Sequence, residues 1–383
     1  MKRVLILAST ATMICAFNIP NIELLQSLGY TVDVACNFKE GNNCSIETIK
    51  NFRKKLDDMS VCYYQIDFTR NVKNIFKNII ALLQVEQLIK KNNYYFLHCH
   101  SPIGGVAGRI AGKMRGIKVI YTAHGFHFFA GAPRINWLVY YPIERICSYL
   151  TDILITINKE DYNLARRKMK AKKVVYIPGV GIDMDKFALP VFDKLEKRKE
   201  FRNSIGCSET DLLLFSAGEL NNRKNHEVVI RALAQIKDSH IHYAIAGKGS
   251  ELHRLTQLSK DLGISDRIHF LGFRTDMAEL YQVADIFCFP SKREGLGLAA
   301  IEAMSSGLPL ITSNINGIKD YSIDGVTGYS CNPTDVNGFA RAIYRLKENP
   351  SDREKIGRNN MQSTSKYSIE NVQTIMKKIY SSI

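Results

Sequence analysis

Two carboxylates, Glu294 and Glu302, stand eight residues apart within residues 291–309, directly after the apolar stretch 284–290. The order reads as strand, tight loop and helix start, with Glu294 in the loop and Glu302 about two helical turns further on. Gly295 and Gly297, with Leu296 between them, are expected to leave backbone amides bare at the helix N-terminus, where partial positive charge collects. One carboxylate can then meet a ligand at the loop while the other reaches a more distant part of it, and a phosphate fits between them on the amides. A molecule with hydroxyls at both ends and phosphate in the middle is a nucleotide-sugar. Two acids at this spacing on a buried helix occur often by chance. The surrounding pattern, Glu-Gly-x-Gly-x4-Glu-Ala-x4-Gly-x-Pro, is much rarer.

A second group follows the stretch 212–218, which reads as a strand ended by Gly218. Arg223 and Lys224 come next, just ahead of a helix expected over 228–236. When a nucleoside diphosphate departs, negative charge builds on its oxygens. A fixed Arg and Lys stabilise that charge most in the transition state. An Arg-Lys pair is ordinarily a solvated basic turn, but its place after a strand-end glycine favours the functional reading.

These motifs resemble the retaining glycosyltransferases of family 4, which have the GT-B fold: α/β, with two doubly wound Rossmann-like domains facing a cleft. The resemblance spans nearly the whole chain. It implies that Glu294 holds hydroxyls of the donor sugar, that Glu302 holds the ribose, and that Arg223 and Lys224 stabilise the leaving diphosphate. It places the strand-end loop 270–276 beside the nucleotide base, with Phe273 and Arg274 lining that site mainly through their backbone. His124, after a strand expected over 118–122, would contact the donor sugar near the reaction centre, although a lone His is more often structural. The run 124–145, which includes His127, resembles a branch that builds capsule and exopolysaccharide repeat units on a lipid-linked sugar diphosphate. His127 and His100 are taken as substrate-binding candidates, His100 toward the acceptor. The resemblance further implies a donor that is most often a UDP-sugar. With no positioned carboxylate nucleophile, attack comes from the face of the leaving group, and the departing diphosphate can take the acceptor proton.

The rest of the chain must position these residues. Strands are expected at 4–8, 31–36, 94–99, 118–122, 153–157 and 174–177, alternating with helices at 19–28, 72–91, 103–114, 137–149 and 159–168. That alternation implies a parallel sheet with helices on both faces. Residues 178–199 break it, and a second alternation follows. The expected domains are therefore 1–180, binding the acceptor, and 195–367, binding the nucleotide-sugar. A last helix around 368–383 is expected to cross back onto the first, as in family 4.

Several details limit the reading. Residues 9–20 read as a loop without the Gly-Gly pair of many relatives, which puts the usual glycine-loop role there in doubt. His98 and His100 are expected on opposite faces of their strand, so not as a metal pair. Ser101 reads as an N-cap and Pro102 as the first helical residue. Gly104, Gly108 and Gly112 recur every four residues, as a bare stripe that can press on a strand. Asp183-Met-Asp185 matches a metal-binding signature of the other glycosyltransferase fold, but lies in the linker and reads as structural. No metal and no cofactor are expected.

The 383 residues carry a net charge of +15. Residues 1–180 hold 25 Lys and Arg against 12 Asp and Glu, so nearly all the excess, +13, falls on the first half. That suggests an anionic partner there. Nucleic acid would suit this charge, but no nucleic-acid motif is visible; the anionic inner face of a membrane, or the polyprenyl-diphosphate-linked acceptor that the resemblance implies, fits it equally well, and these two are the expected partners. Basic groups cluster at Arg53, Lys54 and Lys55, at Lys73 and Lys77, and over 166–173. Phe76, Ile79 and Ile80 either add apolar contact beside those lysines or face the core. Nine cysteines without metal spacing suggest a reducing cytoplasm. No apolar run reaches eighteen residues, so the expected location is cytoplasmic, peripheral at the membrane. The nearest alternative is a GT-B sugar-nucleotide 2-epimerase. A non-catalytic binder of nucleic acid or membrane would leave Glu294, Glu302, Arg223 and Lys224 unexplained.

Overall fold

The computed structural model describes residues 2–71, 74–187 and 194–383; Lys73 and part of the linker therefore lie outside the described residues. The chain divides into two compact units, Met1–Val180 with Ile369–Ile383, and Gly181–Ser368.

In the first unit the strands are β1 (Arg3–Leu7), β2 (Thr31–Cys36), β3 (Cys62–Gln65), β4 (Tyr94–His100), β5 (Lys118–Ala123), β6 (Ile153–Thr156) and β7 (Lys173–Tyr176). They form one parallel sheet in the order β3-β2-β1-β4-β5-β6-β7. The helices are α1 (Ala11–Phe17), α2 (Ile19–Ser27), α3 (Ile46–Asp58), α4 (Ile75–Lys91), α5 (Pro102–Met114), α6 (Arg134–Ser148) and α7 (Lys159–Lys168). β1 is wholly buried after Arg3, as a central parallel strand covered on both faces must be.

In the second unit β8 (Leu212–Ala217), β9 (Ile241–Ala246), β10 (Ile268–Gly272), β11 (Ile286–Phe289), β12 (Leu310–Ser313) and β13 (Gly328–Cys331) pair in the order β10-β9-β8-β11-β12-β13. Around them lie α8 (Lys194–Ser204), α9 (His226–Gln235), α10 (Leu252–Asp261), α11 (Met277–Val283), α12 (Leu298–Ser305), α13 (Val336–Glu348) and α14 (Pro350–Ser363). The chain then returns to the first unit as α15 (Ile369–Ser381). There the Tyr380 ring stacks on Phe96 of β4 at 5.9 Å.

Three expectations need correction. Residues 11–17 are the helix α1, so the supposed loop after β1 shrinks to three residues, 8–10. His98 and His100 share one face, with ring centroids 4.2 Å apart. Residues two apart on a strand point the same way. Ser101 stands at the N-cap of α5 but makes no capping bond. With φ at +63°, it turns its hydroxyl to accept from the Ser9 amide at 2.9 Å and to donate to the His100 carbonyl.

The glycines of α5 explain how closely that helix lies on the sheet. A Cβ at Gly108 would collide with Cys99 of β4 and Leu7 of β1, and one at Gly105 or Gly112 would collide with Tyr121 or Val119 of β5. The sheet strands and α4 supply most of the rest of this core, with Phe126 and Phe128 from the loop after β5 and Ala165 from α7.

Candidate functional site

In each sheet the strand order reverses once, between β1 and β4 in the first unit and between β8 and β11 in the second. Ligands of open α/β sheets bind beyond the strand C-termini at such points. Arg223, Lys224 and Glu294 gather at the second of these places and His100 and His124 at the first, while Phe273 and Arg274 follow the edge strand β10.

In the second unit the loop after β8 and the loop after β11 are stitched together. The Lys292 amide donates to the Arg223 carbonyl at 2.8 Å, and Arg223 Nη1 donates to the Arg293 carbonyl at 3.1 Å. Asn225, in a left-handed conformation at φ +59°, donates its Nδ2 to the carbonyls of Pro290 and Pro333 at 3.0 and 2.8 Å. This lattice brings both cations onto one carboxylate. Arg223 Nη1 lies 2.7 Å and Lys224 Nζ 2.8 Å from Glu294 Oε1. Lys224 reaches it along Gly218, and its ammonium lies 4.6 Å from the centre of the Phe289 ring.

Glu294 is buried. Burial pushes its carboxyl up, but Lys224 and then Arg223 beside it bring it below the usual value. It is an anion held between two cations. Nothing in the spacing of these three residues marks them as a single cluster.

Gly297 caps α12 at φ +92°, and a Cβ there would collide with the Phe289 ring. Leu296 turns its side chain into the core, and its carbonyl accepts from Tyr321 Oη at 2.9 Å. Its side chain is therefore packing, and only its backbone can meet a ligand. Glu302, on α12, accepts from Tyr281 Oη of α11 at 2.8 Å; burial raises its carboxyl above the ordinary range. Beyond β10, the Phe273 ring is largely exposed, while Arg274 pairs with Asp276.

One residue escaped sequence reasoning. Asn316 is buried with φ at +39°, and neither of its amide atoms has a partner among the described residues. Its neighbour Gly317 lies so close to the Glu294–Gly295 backbone that a Cβ would strike the Gly295 carbonyl. An unsatisfied buried amide calls for a partner. The only signal for it in the sequence is an Asn-Gly pair after a strand, an ordinary turn mark.

In the first unit, three imidazoles form a row at the ends of β4 and β5. His98 Nδ1 meets Tyr380 Oη and its Nε2 meets Thr122 Oγ1, both at 2.8 Å. His100 Nδ1 lies 3.0 Å from His124 Nε2, while His100 Nε2 is buried with no partner among the described residues. Burial lowers all three, His98 to about 3 and His124 to about 4, so the row is neutral at pH 7. Neutral imidazoles donate and accept hydrogen bonds, as sugar hydroxyls require. His127 lies apart from this row, with its ring 4.5 Å from that of Tyr140 on α6.

Asp183 accepts from the Lys186 amide at 3.2 Å in a turn before α8, and Met184 of that turn lies 3.5 Å from Ser305 Oγ of α12. Among the described residues, one group, Cys207, Asp211 and His242, offers atoms close enough together for a metal ion. It lies at the start of β8 and β9, the opposite end of the parallel strands from Glu294. There Asp211 already bonds His240 at 2.7 Å and the Ser208 amide at 2.7 Å.

The family model of the glycosyl transferases group 1 matches residues 197–363, and that of the glycosyl transferase 4-like proteins matches residues 3–158. A Bacillus subtilis protein named as the glycosyltransferase EpsD is 33% identical over 99% of this chain and 96% of its own length. The chain belongs to the family 4-like glycosyltransferases. An Escherichia coli member, a UDP-Gal:alpha-D-GlcNAc-diphosphoundecaprenol alpha-1,3-galactosyltransferase, is 29% identical over 76% of each chain. Among solved structures, Anabaena HepE in complex with UDP and glucose superposes with a TM-score of 0.80 at 18% identity, covering both chains fully. The lipopolysaccharide glycosyltransferase WaaG does so with a TM-score of 0.74 at 17% identity, over 99% of each chain. The fold of this glycosyltransferase is therefore GT-B. None of these proteins is an epimerase. No helix among the described residues is long and apolar enough to cross a membrane.

Proposed function

We infer that this glycosyltransferase moves a hexosyl group, with retention, from a UDP-sugar to a polyprenyl-diphosphate-linked sugar, in the assembly of a surface polysaccharide. The observation that carries the reading is the Glu294 cluster. A carboxylate kept ionised by Lys224 and Arg223 accepts hydrogen bonds from sugar hydroxyls, and the same two cations face the oxygens of a leaving diphosphate. Glu302 takes the ribose, held in place by Tyr281. The loop after β10 takes the base. As the bond to the diphosphate breaks, Arg223 and Lys224 neutralise the developing charge, and a diphosphate oxygen accepts the acceptor's proton. The two cations supply what a divalent ion would otherwise supply, so no metal is required.

The acceptor belongs to the first unit by its basic character and by likeness to the Escherichia coli enzyme, whose name specifies a diphosphoundecaprenol acceptor. Such a lipid brings the protein to the inner face of the membrane.

The test is a matrix of UDP- and GDP-sugars against a polyprenyl-diphosphate sugar, with and without EDTA, the anomeric configuration of the product being read by NMR. A UDP-sugar transferred with retention in EDTA is the expected result. Inversion, strict dependence on Mg²⁺ or Mn²⁺, or conversion of the donor without an acceptor overturns the reading.

A further inference from the structure

An apolar groove of about 320 Å³ opens in the first unit. Its floor is α5, from Pro102 to Ile110, and its walls are α4 and α6; Ile79, Val106, Val139 and Ile143 are among its lining residues. One end is closed by the loop after β5, through Gly125, Phe126, His127 and Phe128. That is the sheet end that holds His100 and His124. The floor follows nine residues of helix, eight rises of 1.5 Å, or about 12 Å.

The groove opens to the surface. Its rim residues Ile75, Ile79, Val139 and Ile143 are 63, 47, 41 and 44% exposed. Beyond it, both helices go on presenting apolar groups, Phe76 and Leu83 on α4, Ile135, Leu138 and Ile146 on α6. An apolar groove flanked by this many exposed apolar side chains marks an interaction site.

The acidic side chain in the wall has its charge already satisfied. Glu144 binds Arg109 Nη1 at 2.8 Å and accepts from Tyr121 Oη at 3.2 Å. The wall thus presents hydrocarbon, while the head of the groove lies at the N-terminus of α5, where a thirteen-residue helix favours an anion. A ligand with an anionic head and a long branched hydrocarbon tail fits both ends.

We propose that this groove holds the first isoprene units of the acceptor's polyprenyl chain, with the diphosphate at the α5 N-terminus and the tail leaving between α4 and α6. The proposal rests on the lipid-linked acceptor inferred above. It predicts that the enzyme measures its acceptor by the tail as well as by the sugar.

The experiment compares acceptors bearing the same sugar diphosphate on a long polyprenyl chain or a short alkyl chain, in wild type and in Val106→Phe and Ile143→Glu. Val106→Phe fills the groove with apolar volume, and Ile143→Glu charges its rim at an exposed position. Wild type should show a KM at least about tenfold lower for the polyprenyl acceptor, the expectation when even two methylenes' worth of surface leaves water. Both variants should lose that preference while keeping the KM for the short acceptor and the affinity for UDP. Equal KM values for the two acceptors in wild type, or a preference undiminished in both variants, overturns the groove and leaves the acceptor class standing. Absence of transfer to either acceptor rejects the acceptor class itself.

A second readout needs no turnover. Trp137 is the one tryptophan of the chain, and its ring lies 5.5 Å from Phe128 at the groove's end. Geranylgeranyl diphosphate, without vesicles, should shift Trp137 emission at concentrations where isopentenyl diphosphate does not. If it fails to, and Ile143→Glu only lowers vesicle binding, the surface is a bilayer contact and the proposal falls.

Discussion

At Glu294, charge and geometry work on the same atom. Replacing it by Gln keeps the size but leaves Lys224, whose side chain is only 13% exposed, without its anion. Transfer should nearly vanish at saturating donor while circular dichroism stays native; near-normal turnover would remove the carboxylate from the mechanism. Arg223→Ala and Lys224→Ala should each lower kcat by roughly 10²-fold or more, the usual size for one donor of this kind. A change confined to KM would mean that they bind ground state and transition state alike. The histidine row makes a different prediction, about stability. His98 titrates near 3 when folded and near its ordinary 6.5 when unfolded. The unfolded chain therefore binds the extra proton between those values. The stabilisation is complete above pH 6.5 and is lost as the pH falls toward 3, on the order of 2 kcal/mol at pH 5 from His98 alone. Urea unfolding of wild type and His98→Gln should converge as the pH falls from 7 to 5. Parallel curves would show that the imidazole is not buried neutral.

Among the elements, the fit of α5 on the sheet makes the sharpest claim. Gly108→Ala puts a methyl into Cys99 and Leu7, and overpacking of this sort costs about 1–3 kcal/mol. A denaturation midpoint unchanged from wild type would mean that α5 can lift away freely. This packing was legible in advance, because three glycines four residues apart on one helix leave a flat face. The parallel sheets were legible too, since short apolar runs alternate with helical patterns along both halves of the chain, three of them, β8, β9 and β10, ending at a glycine. What escaped had weak local signals. α1 is short and its N-cap Thr10 makes no side-chain bond. α3 buries only Ile49, Phe52 and Leu56 in a mostly polar run. β3 is an edge strand with no buried residue. Of the site, Glu294, Arg223 and Lys224 could be singled out as candidates from their motifs and the resemblance these carry. Their joint ion pair could not, because it depends on β8 lying beside β11. The placing of His98 and His100 on opposite faces was an error of periodicity rather than a missing signal.

For the whole molecule, the uneven charge is the feature that no single site explains. Among the basic residues singled out, several have partners within the first unit. Lys77 pairs with Glu40 at 3.8 Å and Lys172 with Asp152 at 2.7 Å, and Arg53 lies over the Phe38 ring at 4.9 Å. Exposed pairs of this kind are weak and do not remove the excess of positive charge. Beside Lys77, Phe76 is 83% and Ile80 51% exposed, so these side chains do not face the core. α4 buries Ala81, Val85, Leu88 and Ile89 instead. A basic surface with exposed apolar groups is the makeup of a helix that lies on an anionic bilayer. The protein should therefore co-sediment with anionic vesicles, more so as their anionic fraction rises. Recovery should fall with salt, since attraction between surface charges is screened over about 8 Å at physiological ionic strength. Phe76→Asp with Ile80→Asp should lower recovery without touching UDP affinity, because neither residue lies in the second unit or lines the groove. Equal recovery on neutral and anionic vesicles would leave the positive charge to the acceptor's diphosphate alone.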